Sequence, residues 1–301
     1  MVPECCQMSV PLPVDIRQFE PWITGRLFWL PGRLHRRLSA MPPISVVICC
    51  SNVADTLEAA CRSVQWADEL VVVDSGSTDA TGRIARQYAD QYKIEPWRGY
   101  DRQKQFATEL CRNDWVLVLD GDESVSAELA NEIQALDESL FERCDVLYMR
   151  RRNYVMGRPV RAWWPDWQSR LIHRKRVQWP SEVLHEARLP ADRSRVSRLK
   201  GHLDHKKISS GGFEDYFSGH RHDERLIKMG RQMYLQGLRV GWFGLAFRPM
   251  LAFVKFYFFK LGMLDGCFGL LIAQKAAVST QLKYAALWAI QKESDPNKPI
   301  E

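Results

Sequence analysis

Trp115-Val116-Leu117-Val118-Leu119-Asp120-Gly121-Asp122-Glu123 is the stretch whose reading decides the fold. Its apolar run is too short for a solitary helix and lacks polar alternation, the pattern of a strand covered on both faces. Asp120 and Asp122 emerge at the carboxyl end of that strand, where open α/β sheets bind their ligands. Gly121 is expected to let the backbone turn sharply and come close to whatever the carboxylates hold. Hard oxygen ligands suit Mg²⁺ or Mn²⁺, ions commonly shared with substrate phosphates. Taken alone, an Asp-Gly-Asp also reads as an ordinary acidic turn. Its neighbours have to decide.

Upstream, Ile44-Ser45-Val46-Val47-Ile48-Cys49-Cys50 is a β-rich apolar run that ends at the turn-prone Ser51-Asn52. Leu57, Ala60, Cys61 and Val64 then share one helical face. A second strand, Glu69 to Asp74, opens into Ser75-Gly76-Ser77-Thr78-Asp79, with a helix expected over 80–92 and another over 102–112. Asp79 is suited to cap the first of these. Strands alternating with helices predict a parallel sheet with right-handed crossovers. Asn52, Asp74 and Asp120 then stand at the carboxyl ends of neighbouring strands and converge on one rim. Neither Gly-x-Gly-x-x-Gly nor Gly-x-x-x-x-Gly-Lys follows the first strand, so the rim offers carboxylates where a dinucleotide fold offers glycines.

Ile44 to Ile48 with Asn52, Val71-Val72-Val73-Asp74-Ser75-Gly76-Ser77-Thr78-Asp79, and Leu119-Asp120-Gly121-Asp122-Glu123 together resemble the family 2 glycosyltransferases. These are inverting enzymes of GT-A fold. The resemblance implies an α/β chain with a mostly parallel, Rossmann-like sheet flanked by helices. It implies that Asn52, Asp74, Lys104 and Asp120 bind a nucleotide-sugar, with Asp74 on the nucleoside and Asp120 facing the ribose or sugar. Asp122 would bind the Mg²⁺ or Mn²⁺ that spans the diphosphate. One departure is visible: the family often has an acidic residue after the Asn, whereas Val53-Ala54 follow here. Over about residues 44–290 the chain is most similar to the lipopolysaccharide core β-1,4-glucosyltransferases. That implies UDP-glucose as donor and a heptose of the lipopolysaccharide inner core as acceptor.

Downstream, a short helix over 127–137 and a strand over 145–150 are expected, with Arg150-Arg151-Arg152 read as a charge run without individual roles. Trp163-Trp164-Pro165-Asp166-Trp167 offers aromatic faces that can stack on a sugar or plug the core. Gln168-Ser169-Arg170-Leu171 lacks the Gln-x-x-Arg-Trp pattern of processive synthases, which favours a single addition. Inverting transfer needs one base for the acceptor hydroxyl. Asp166, Glu182 and Glu186 are the candidates, and Val183-Leu184-His185-Glu186 resembles the family's His-Glu, which selects Glu186. His185, Arg170 and His205 are accessory candidates.

The chain has 301 residues with a formal charge of +6, 46% hydrophobic and 26% charged. That is globular composition, and its mild basicity suits phosphorylated ligands or an anionic membrane without requiring nucleic acid. The eight cysteines have neither disulfide nor zinc spacing and read as reduced thiols. No basic segment leading into an apolar one opens the chain, so no secretory signal is expected. Residues 1–43 are an extension broken by prolines, either an interfacial anchor or a leader ahead of Met41. Residues 44–212 form the catalytic domain, with a nucleotide-binding half over 44–125 and an acceptor half over 126–212. Residues 213–292 are expected to be helical; within 241–260, Arg248, Lys255 and Lys260 interrupt every window long enough to span a bilayer, and Pro249 would kink a helix. A helical, membrane-interfacial appendage on the cytoplasmic side of the inner membrane is expected, followed by a polar tail over 293–301. Rival readings are transfer to polyprenyl phosphate or another envelope glycan, and an inactive nucleotide-sugar-binding scaffold on the membrane.

Overall fold

In the computed structural model the described residues are 41–179, 189–190, 192, 194–206 and 220–294. The expected anchor or leader over 1–40, the Val183 to Glu186 segment and the tail from 295 lie outside them. Strands β1 (Ile44–Cys50), β2 (Glu69–Asp74), β3 (Gln91–Ile94) and β4 (Trp115–Asp120) alternate with helices α1 (Ala54–Ser63), α2 (Thr81–Tyr88) and α3 (Tyr100–Glu109). β5 (Glu123–Val125), α4 (Ala127–Gln134), α5 (Glu138–Arg143), β6 (Val146–Val155), β7 (Arg158–Pro159) and β8 (Asp166–His173) follow. Next come the small antiparallel pair β9 (Val177–Gln178) and β10 (Leu189–Pro190), then β11 (Val196–Lys206). The chain ends in helices α6 (His220–Leu235), α7 (Trp242–Val254) and α8 (Gly266–Ser294).

Nine of these strands make one sheet, in the order β3-β2-β1-β4-β8-β6-β11-β5, with β7 on β6. β1 to β4 are mutually parallel, as the sequence predicts. From β4 onward the sheet is mixed: β4 and β6 both run antiparallel to β8, β11 runs parallel to β6, and β5 antiparallel to β11. The mostly parallel sheet of the sequence reading is therefore its first half only. Only Gly121 and Asp122 separate β4 from β5. The path β4-β8-β6-β11-β5 thus returns to the stretch of chain it left.

The core lies on both faces of the parallel half. Ile44, Val46, Ile48, Leu70, Val72, Leu117 and Leu119 face α1, α2 and α4, with Leu57, Ala60, Ile84, Leu129 and Ile133. The alternate residues Val47, Val71, Val73, Val116 and Val118 face Ala107 and Cys111 on the α3 side. A strand buried on two faces shows no polar alternation, which is why β4 reads as a continuous apolar run. The appendage joins this body where Phe268 and Ile272 of α8 pack on Val155, Val160 and Ala162. Arg161 also pairs with Asp265 at 3.0 Å.

Candidate functional site

Three loops at the carboxyl ends of β1, β2 and β4 build the rim. Asn52, in the left-handed region at φ 50°, accepts from the Thr78 backbone N–H through Oδ1 at 2.9 Å. Its own N–H donates to Ser77 Oγ at 2.8 Å, so the first two loops are laced together. Asp79 caps two helices at once: its carboxylate accepts from Thr81 N–H at 2.9 Å and Ala54 N–H at 3.1 Å, the first residues of α2 and α1. Asp74 is buried. One oxygen accepts from the Gly76 and Ser77 amides and from Ser77 Oγ, and the other from Tyr92 Oη at 2.8 Å. Its carboxylate therefore shapes the loop after β2.

Asp120 and Asp122 have different surroundings. Asp120 follows Val116 and Val118 in the register that faces α3, and there it meets Lys104. The Lys104 Nζ stands 2.6 Å from Asp120 Oδ1, and Arg170 donates to Oδ2 at 2.8 Å. Burial alone would raise this carboxyl, but the charges of Lys104 and Arg170 outweigh it and hold Asp120 well below the usual carboxylate range. Asp122, half-buried, pairs with no lysine or arginine among the described residues. Its Oδ2 lies 3.3 Å from His205 Nε2, and its backbone carbonyl accepts from the Lys206 amide at 3.0 Å.

The groups between them form one connected chain. Arg170, buried on β8, also donates to Glu123 at 2.5 Å, and Glu123 is wholly buried. Glu123 accepts from Arg151 at 3.1 Å, Arg151 donates to Asp166 at 2.8 Å, and Asn153 donates to Asp166 at 2.9 Å. Asn153 Oδ1 stands 2.7 Å from His205 Nδ1, and His205 leads to Asp122. The period of two puts Arg151 and Asn153 on one face of β6, with their register partners Asp166 on β8 and His205 on β11 beside them, while Arg170 sits at an irregularity in the β8 register. Buried charges of both signs compensate one another along the whole chain.

Arg151 is thus no member of an undifferentiated charge run. The flanking Arg150 and Arg152, on the opposite face of β6, lie over the Trp164 ring at 4.9 and 5.5 Å. Sequence reasoning also missed Asn153 and Tyr92. Tyr92 was assigned to the end of a helix, but it belongs to β3. Gln103, which opens α3 beside Lys104, bonds Ser75 Oγ and the Glu95 carbonyl and fastens the loop after β2. Gly121 is needed for a reason other than a turn. A Cβ there would stand 2.7 Å from Val53 Cγ2 and 2.8 Å from Cys50 Cβ, so the loops after β1 and β4 pack too closely for any side chain.

A cavity of about 450 Å³ opens beside His205. It is lined by Arg151, Asn153, Asp166 and His205 of the sheet, by Trp163 and Trp167, and by Lys255, Phe256 and Lys260 of the appendage. Asp166 is held below the usual carboxylate range: burial opposes this, and the Arg151 charge with the Asn153 and Gln168 hydrogen bonds prevails. Glu186 and His185 lie outside the described residues.

Residues 45–187 match the family model described as Glycosyl transferase family 2. Over that stretch, a little under half of its length, the chain is similar to the family 2 glycosyltransferases. Its mixed sheet flanked by helices is the α/β, GT-A architecture expected of that family. A "Lipopolysaccharide core biosynthesis glycosyltransferase LpsC" of Rhizobium meliloti is 28% identical over 266 residues, 82% of this chain and 92% of that protein. An "Uncharacterized glycosyltransferase" of Rickettsia bellii is 41% identical over 117 residues, 36% of this chain and only 40% of that protein. Among solved structures, Staphylococcus aureus TarS 1–349 with UDP-GlcNAc is 14% identical, with a TM-score of 0.41 over 86% of this chain and 93% of that one. Glucosyl-3-phosphoglycerate synthase of Mycobacterium tuberculosis, crystallised with Mn²⁺, UDP and glucosyl-3-phosphoglycerate, is 15% identical, with a TM-score of 0.43 over 66% of this chain and 81% of that one.

Proposed function

We propose that the chain is an inverting, metal-dependent hexosyltransferase that moves glucose from UDP-glucose onto the inner core of lipopolysaccharide. The lipopolysaccharide assignment rests on the similarity to LpsC along most of both chains. The observation that carries the chemistry is the pairing of Asp122 with His205 at 3.3 Å, beside a cavity of about 450 Å³. A carboxylate and an imidazole make half an octahedral shell at most, which fits Mg²⁺ or Mn²⁺ completed by a diphosphate and water. No group of three His, Cys, Asp or Glu residues that could enclose an ion occurs among the described residues. The Asn153 contact fixes the His205 ring and leaves Nε2 turned to Asp122, the outer-shell support that metal-binding histidines use. The ion supplies positive charge where the nucleoside diphosphate leaves.

Asn52, Asp74, Lys104 and Asp120 form the donor side. Lys104 and Arg170 keep Asp120 ionised and fixed in place, which suits hydrogen bonds to sugar or ribose hydroxyls. The acceptor sits in the cavity and its hydroxyl attacks the anomeric carbon. Glu186 takes the proton. Asp166, the rival base among the described residues, already accepts three hydrogen bonds and is held anionic by Arg151, which makes it a weak proton acceptor.

The protein is peripheral on the cytoplasmic side of the inner membrane. Trp242, Phe243, Phe247, Met250 and Leu251 of α7 and the following Phe258 and Phe259 are exposed, an apolar face that suits a lipid interface. No single helix among the described residues is long and apolar enough to cross a membrane.

A UDP-release assay with a panel of nucleotide-sugars and truncated lipopolysaccharide acceptors tests this reading. Asp122→Ala is expected to lower transfer about a thousandfold. Glu186→Gln should abolish transfer while UDP-glucose still binds. Full activity of Asp122→Ala would overturn the mechanism, and transfer only to polyprenyl phosphate would replace the acceptor.

A further inference from the structure

The cavity lining has an excess of positive charge that the transfer chemistry does not use. Arg151 is matched by Glu123 and Asp166, and Asp265, on the turn after the π-helical segment 255–259, is matched by Arg161. Lys255 and Lys260, at the two ends of that segment, have no carboxylate partner among the described residues. Both line the same cavity as Trp163, Trp167 and His205. Two lysines that line one cavity with two tryptophans are suited to an anion attached to a sugar: the ring can lie on tryptophan and the anion meet the lysines.

We propose that Lys255 and Lys260 form a subsite for an anionic substituent, a phosphate monoester or a carboxylate, on the acceptor glycan. This rests on the cavity being the acceptor side of a transferase. The anion sits on the appendage and the reacting hydroxyl points towards His205 and Asp122, so the charged group sets which hydroxyl faces the donor. A lipid headgroup would present the same chemistry to the two lysines, but the cavity they share with His205 favours the glycan.

The test is equilibrium binding to the full chain, measured by calorimetry without donor, so it does not depend on transfer. The probe is the deacylated inner-core oligosaccharide in three forms: untreated, dephosphorylated and carboxyl-reduced. Lys255→Gln with Lys260→Gln is expected to weaken the untreated probe about tenfold or more. Loss of affinity on dephosphorylation identifies a phosphate, and loss on carboxyl reduction identifies a carboxylate. UDP affinity should stay unchanged in the double variant, which also verifies folding. Equal affinity of wild type and double variant for the untreated probe overturns the subsite. So does a defect confined to vesicles of phosphatidylglycerol and phosphatidylcholine, which would reassign the lysines to lipid. If the subsite holds while UDP-glucose supports no transfer to any acceptor, it is the proposed function that fails.

Discussion

Glu123 carries more of the site than its place at the end of the Asp-Gly-Asp motif implies. It is wholly buried, and its carboxylate anchors both Arg170 and Arg151. Removing one member of a buried ion cluster leaves the others uncompensated, so Glu123→Gln is expected to cost about 3–5 kcal/mol of stability. Urea unfolding of the variant measures this, and a midpoint equal to wild type would contradict the network. Protonation probes the same residues. Burial holds His173 and His202 below the ordinary imidazole range, so the unfolded chain takes up their protons first and stability falls as pH drops through that range. Asp120 and Asp166 are held low by their cationic partners. Their contribution is complete above the usual carboxylate range and is lost on further acidification. Unfolding midpoints between about pH 7 and pH 2 should therefore decline in two stages, the first through the imidazole range and the second below about pH 4. A flat profile would oppose both assignments.

At the scale of elements, the approach of the loops after β1 and β4 controls the donor rim. Gly121→Ala would push its Cβ against Val53 and Cys50 and should cost about 1–3 kcal/mol and weaken UDP binding. Adding Val53→Ala relieves only the Val53 contact, so it should restore part of the loss while the Cys50 clash keeps the rest; wild-type stability and UDP affinity in Gly121→Ala alone would contradict the close approach. The elements also differ in how much of them the sequence discloses. β1, β2 and β4 are apolar on both faces and declare themselves by composition. Gln91-Tyr92-Lys93-Ile94 lies at the sheet edge with three exposed residues and no apolar run, so its first two residues read as the end of the helix expected over 80–92. The antiparallel pairing of β8 between β4 and β6 arises from tertiary contacts that no local pattern records. The site divides in the same way. Asp120 and Asp122 are legible from the strand that precedes them. Arg151 sits in a run of three arginines and Asn153 in no motif, because their roles depend on strands distant in sequence.

Over the whole molecule, one segment has two duties. The α7 helix and the turn after it expose Phe247, Phe258 and Phe259 outward, while Lys255, Phe256 and Lys260 line the cavity. An acceptor anchored in lipid would then reach the cavity from the face proposed to touch the membrane. Phe247→Asp with Phe259→Asp should abolish co-sedimentation with anionic vesicles and leave UDP affinity and melting temperature unchanged; retained sedimentation would oppose the interfacial reading. The ring made by β4, β8, β6, β11 and β5 bears on the order of assembly. The Asp122 carbonyl is held by the Lys206 amide and its carboxylate faces His205, on a strand more than eighty residues later in the chain. Such long-range pairing is slow to form and comes late. A nascent chain would thus have its parallel strands in place well before Asp122 gains its histidine, so the pairing of Asp122 with His205 forms only when synthesis has passed the last strand of the sheet.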